Sequence, residues 1–161
     1  MSEMIYTMAG TRFFISEDPV EAKLDAEESD FDEVVWVEVQ GLFNVGELGS
    51  EQGVNEFELI NSDWMLKAKG TRNGGTVTNT FIPLALDPGQ IKFLEAIEEK
   101  CSPYAFKIER GSECAPEGAA PTGMTQMFQG LAVGGAHSGG SRNDAYTRTY
   151  GVAVYGRVIE V

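Results

Sequence analysis

Few side chains in this 161-residue chain could do chemistry, and each can be set against the pattern its chemistry needs. His137, in GGAHSGG, is the one histidine. A serine–histidine–acid system could use it, but its serine normally sits on a strained elbow such as GxSxG, which is absent. A histidine-based metal centre needs further histidines or cysteines at fitting distances, so His137 reads as an exposed loop residue. Cys101 and Cys114 form no CxxC pair and match no zinc module. They read as two reduced thiols. Gly130 to Gly135 is glycine-rich, yet no Lys-Ser or Lys-Thr follows, so it is no phosphate loop. Carboxylates are so plentiful that pairs of them arise by chance and signal no glycosidase. The acidic run from Glu17 to Glu33, relieved only by Lys23, lacks the oxygen spacing and turn glycine of a calcium loop and reads as a solvated connection. Tyr146, Arg148 and Tyr150 interleave aromatics with a base, as single-strand nucleic-acid binders do, but their strand spacing favours core packing. The sequence thus points to no catalytic residue, no metal ligand and no cofactor.

The elements that would position these residues follow from composition. Twenty-five acidic against twelve basic residues give a net charge of −13. Such a chain is poorly suited to gripping nucleic acid, which needs a basic patch, although DNA could pass it without sticking. Nineteen glycines and few helical patterns favour a β-rich fold with many turns. The length fits one domain with a core large enough to need neither metal nor disulfide. Met1 to Gly10 reads as a short arm without signal-peptide character, and no stretch approaches the ~20 apolar residues of a membrane span. The expectation is a protein used or assembled in the cytoplasm, with no membrane anchoring.

The stretch from Lys67 to Lys100 organises the chain. Gly74-Gly75 marks a turn. Thr76 to Ile82 alternates in β-rich residues and predicts a strand. Asp87 then predicts a helix N-cap, with Pro88 at the first helical position and Gln90 completing a capping box. Ile91, Leu94 and Ile97 predict the buried stripe, and Ser102-Pro103 ends the helix. Further strands are predicted at Thr11–Ile15, Val34–Val39, Tyr104–Glu109, Met124–Val133 and Ala145–Tyr155, the last bent near Gly151 and broken at Gly156 before a terminal strand or arm at Val158–Val161. Glu47 to Gly75 reads as a charged, irregular excursion, long for a compact domain, in which Val54–Leu59 and Trp64–Ala68 could pair. The fold class predicted is mainly β, a sandwich or barrel of about seven strands with one flanking helix, in a single domain over residues 1–161.

The order of these features resembles the major tail (tail tube) proteins of long-tailed bacteriophages. The segments that carry it are VVWVEVQGLFNVGELG at 34–49, LKAKGTRNGGTVTNTF at 66–81, LDPGQIKFLEAIEEK at 86–100, FQGLAV at 128–133 and NDAYTRTYGVAVYGRVIEV at 143–161. The resemblance implies packed β-sheets flanked by a helix, and no catalysis. It implies six-subunit rings stacked into the hollow tube of a virion tail, assembled in the host bacterial cytoplasm. Its partners would be further copies of itself, a tape-measure protein, and tail-terminator or tail-tip proteins. Double-stranded DNA would pass through the lumen unbound. A type VI secretion-like tube protein, another virion β-protein, or a small acidic ligand-binding β-sandwich are the alternatives.

On the tube reading, the 47–75 excursion is mobile in the free subunit and orders when rings stack. Its charges, Glu51, Glu56, Glu58 and Asp63 in the first part and Lys67, Lys69 and Arg72 in the second, would meet opposite charges of the neighbouring ring.

Overall fold

A computed structural model describes residues 8–111 and 124–161. Most of the expected N-terminal arm, the expected loop at 112–123 and Cys114 lie outside the described residues. The strands are β1 (Arg12–Ser16), β2 (Trp36–Val39), β3 (Leu42–Asn44), β4 (Glu51–Phe57), β5 (Leu66–Asn73), β6 (Thr76–Phe81), β7 (Tyr104–Glu109), β8 (Thr125–Val133) and β9 (Arg148–Glu160). Among the described residues one α-helix, α1 (Pro88–Glu98), lies between β6 and β7, and a single 3-10 turn spans Glu28–Phe31. Seven strands form a single antiparallel sheet in the order β2-β1-β7-β8-β9-β6-β3, and β4-β5 forms a separate hairpin.

The topology forces the sheet to curl. β2 and β3 are its two edges, yet only Gln40 and Gly41 separate them in sequence. Three peptide steps reach about 11 Å at most, so the edges must nearly meet and the sheet becomes an almost closed barrel. Gly41 makes the crossing with φ +82, and a Cβ there would come within 2.6 Å of the Ile82 carbonyl oxygen. Only glycine satisfies both demands.

Alternation fills the interior. Phe13 and Ile15 of β1, Val39 of β2, Phe81 of β6, Phe106 and Ile108 of β7, Phe128 of β8, and Tyr150 and Val152 of β9 point into one core. Phe93 of α1 enters the same core, with its ring centroid 4.8 Å from Tyr150 and 5.7 Å from Phe106. These separations suit edge-to-face and tilted aromatic packing.

The expected stripe of Ile91, Leu94 and Ile97 is not the buried face. Ile91 is 44% and Leu94 37% exposed, and Ile97 packs only at the margin of the core. The buried positions are Gly89, Gln90, Phe93 and Ala96. Both sets share helical spacing. The rotation is decided by the bulk of Phe93 and by Gly89, where any Cβ would collide with the Glu38 carbonyl and the Val39 backbone of β2.

The N-cap is where the sequence places it: Asp87 Oδ2 accepts from Gln90 N at 2.9 Å. The Gln90 side chain closes no capping box. It is 3% exposed and works as a staple between three segments. Its Nε2 donates to the Gln40 carbonyl (2.8 Å) and the Ile82 carbonyl (2.9 Å), and its Oε1 accepts from Leu84 N (3.0 Å). Asp87 Oδ2 also accepts from Gln40 N at 3.1 Å. The helix N-terminus is thereby fixed to the crossing between the sheet edges.

The terminal strand does not break at Gly156. β9 runs from Arg148 to Glu160, and Gly156, at φ +80, absorbs a register shift opposite β8 between Met127 and Gln129. Pairing with β8 on both sides of the irregularity carries the strand through it.

Phe93→Ala is expected to cost about 3–5 kcal/mol, as a large aromatic lost from a core. Leu94→Ala should stay below about 1 kcal/mol, in the manner of surface substitutions. Gln90→Ala should cost about 2–3 kcal/mol, because three backbone groups lose their partner. Urea unfolding followed by circular dichroism ranks all three.

Candidate assembly surfaces

The hairpin is the part of the chain least explained by its own fold. Every residue of β4 and β5 is exposed except half-buried Gly70. The excursion is a regular ribbon: the pairing suggested for Val54–Leu59 and Trp64–Ala68 is present, and it extends further toward the root, from Phe57↔Leu66 to Glu51↔Asn73 with a bulge opposite Gly53. Charges and glycines mask only the root-side extension of the two strands in sequence. The two faces differ. Phe57, Leu66 and Ala68 share one face with Asn55, while Glu56, Lys67, Lys69 and Arg72 share the other with Val54. Beyond them the tip carries Leu59, Ile60, Trp64 and Met65, with Ile60 wholly exposed and Trp64 85% exposed. A two-stranded ribbon standing alone is marginal in water, and an apolar face on it calls for a cover.

The charges singled out in sequence divide. Lys67 Nζ lies 3.2 Å from Glu56 Oε1, so these two pair across the hairpin instead of waiting for a neighbour. Glu51, Glu58, Asp63, Lys69 and Arg72 make no salt bridge among the described residues. Sequence reading missed the apolar tip. The signal was present in Leu59-Ile60 and Trp64-Met65-Leu66, two short runs flanking a turn.

The acidic run lies against the barrel wall. Phe31 and Ala26 are buried with Ala105, Met127 and Ile159 on the face of the sheet opposite the main core. Gln129 ties the run down: its Oε1 accepts from Lys23 N (2.9 Å) and its Nε2 donates to the Glu21 carbonyl (3.0 Å). The carboxylates point outward along a strap whose apolar side is anchored. On the same outer face, Arg12 grips Glu38 in a two-toothed contact (2.7 and 3.1 Å) and lies over the Phe14 ring. Lys107 stands 4.4 Å from the Phe14 ring and 5.0 Å from the Trp36 ring.

The remaining candidates for chemistry stay apart from one another. His137 Nδ1 and Tyr146 Oη share a 2.6 Å hydrogen bond in an exposed loop, with the rings stacked. Cys101 is an exposed free thiol. Of the three residues whose spacing favours core packing, Tyr150 is in the core, Arg148 is half-buried with its guanidinium over the Tyr150 ring, and Tyr146 is exposed, because it precedes the strand. No group of three or more potential metal ligands gathers among the described residues, and no described helix is long and apolar enough to cross a membrane.

Neither protein-family models nor curated proteins match this chain by sequence. Solved structures do match. A chain of the six-fold symmetrised anti-feeding prophage baseplate aligns over 100% of this chain and 97% of its own length, at TM-score 0.70 and 12% identity. A chain of the sheath/tube terminator of an extracellular contractile injection system, PVC, in its extended state covers 100% and 99% at TM-score 0.63 and 10% identity. A chain of the anti-feeding prophage tube-terminating cap covers 100% and 95% at 0.60 and 12%. The likeness is one of fold, to chains of the anti-feeding prophage and of an extracellular contractile injection system.

The Arg12–Glu38 contact gives this wall a pH signature. The hydrogen bond from Arg12 is the main force holding the Glu38 carboxyl below its ordinary range. A carboxylate depressed in the folded state adds stability above its unfolded pKa, near ~4.3, and loses it as pH falls through the lower folded value. Glu38→Gln should therefore be less stable than the parent at pH 7, and the gap should close on acidification below about pH 4. Urea midpoints across that range measure the gap.

Proposed function

We propose that this protein is a ring-forming structural subunit of the hollow tube of a phage-tail-like particle. The observation that carries the reading is the exposed ribbon with one apolar face and an apolar tip, set on an almost closed barrel and left uncovered by the described residues. A monomer gains nothing from exposing Trp64, Ile60 and Phe57, whereas a repeating assembly buries them at every contact. The full-length likeness to components of contractile injection systems supports the same reading, and the six-fold symmetry of the matched baseplate supports hexameric rings. Double-stranded DNA would pass through the lumen without being held, in keeping with a chain of net charge −13. A tape-measure protein, terminator proteins and tip proteins would be its partners in a virion tail assembled in the bacterial cytoplasm. No catalytic step is assigned to it.

The resemblance seen in sequence is to tubes of long-tailed phages, and the matched structures belong to contractile systems. A hollow tube is common to both. A second reading, a ring at one end of the tube, is favoured by one observation: TM-scores are 0.70 and 0.60 for baseplate and cap chains but 0.53 for a chain of the sheath–tube complex.

Negative-stain microscopy and light scattering of the purified protein test both readings. Stacked tubes are expected on the first and isolated rings on the second. Discrete monomers at high concentration would refute both and return the choice to a ligand-binding β-domain. Tube growth should weaken at high salt, because contacts between exposed charges are screened. Lys69→Glu should slow growth while leaving ring formation intact, since Lys69 is a hairpin cation with no ion pair among the described residues.

A further inference from the structure

Resting on the tube reading, we propose that the hairpin tip of one copy seats in a cleft at the hairpin root of the next. The cleft lies where the hairpin leaves the barrel, between its root, the strap and the far end of β9. Leu24, Leu48, Val154 and Val158 give it an apolar wall, and Arg72 and Arg157 stand among its lining. Neither arginine makes a salt bridge among the described residues. Asp25 and Glu160 also line it, and Glu160 already accepts from Gln126 Nε2 at 3.2 Å.

The tip is complementary in kind. Ile60 and Trp64 supply the apolar bulk, and Glu58 and Asp63 supply two carboxylates without ion pairs among the described residues. Five of the six arginines make no salt bridge among the described residues, and two of those five, Arg72 and Arg157, line this one cleft. An acidic, aromatic tip is complementary to both the arginines and the apolar wall.

The tip cannot reach its own cleft. β4 spans seven residues, so at ~3.4 Å per residue the tip stands more than about 20 Å from the root while the hairpin is paired. The occupant is therefore a second copy. A contact of one patch with a different patch is head-to-tail, and repeating it propagates a stack instead of closing a pair.

The test compares wild type with Trp64→Ala, Arg72→Asp, and the exchange Asp63→Arg with Arg72→Asp. Ring formation is read by light scattering and tube length by negative-stain microscopy, with thermal melts confirming that each variant folds. Trp64→Ala and Arg72→Asp should each shorten tubes at least tenfold and leave rings unchanged. The exchange should restore length to within about twofold. Mixing Trp64→Ala with Arg72→Asp should give stacked pairs of rings and no long tubes, because one sound tip then meets one sound cleft. Wild-type tubes accompanied by full-length tubes from both single variants would overturn the contact and leave the tube reading standing. Wild-type protein that never forms rings would overturn the tube reading and this contact with it.

Discussion

The fold depends on one short crossing. Gln40 and Gly41 carry the chain from one edge of a seven-stranded sheet to the other, and everything else accommodates that step. The sheet must curl, its concave side must be filled, and the gap between its edges must be held. Gln90 holds it, spending both ends of one amide on backbone groups from the crossing, the exit of β6 and the segment before the helix. A buried amide is costly unless all its bonds are made, and here each atom of the amide has a partner. Phe93, one helical turn on, then completes an aromatic core that no single sheet face could have enclosed.

How much of this could be read from residues depends on how local the cause is. The N-cap at Asp87 was legible, because capping is settled within four residues. The strands with clean alternation, Thr76–Phe81 and Tyr104–Glu109, were legible for the same reason. The rotation of α1 was not, since two apolar stripes compete and the choice rests on Gly89 touching β2, fifty residues away. β3 was hidden in a glycine-broken segment, because three residues show no period. Gly156 read as a break because its positive φ is a local fact, while the β8 pairing that carries the strand through it is not. The candidate surface was half legible. Its charges were noticed, but the partnership of Glu56 with Lys67 needed register, and the apolar tip needed the knowledge that no described residue folds over it.

The excess of acid is handled by placement. Along the strap, Ala26 and Phe31 are buried with Met127 and Ile159, so the carboxylates between them project from a segment that is anchored on its other side. Around β1 the few bases are spent on aromatic faces and carboxylates together, as Arg12 and Lys107 do about Phe14. The barrel wall thus reaches local neutrality where it must pack, and its repulsion is left at the margins, where water screens it.

The way the hairpin joins the barrel also settles its mechanics. The ribbon joins the body covalently through Gly49 at one root and Gly74-Gly75 at the other. At the second root the chain continues at once into β6, which is zipped to β9 over six residue pairs and to β3 on its other side. Pulled along its length, such a strand cannot peel. Its hydrogen bonds share the load and must yield together, whereas a strand pulled at right angles gives way one bond at a time. The ribbon is thus a lever mounted on a strand held from both sides, and load on it passes into the barrel through hydrogen bonds that share it.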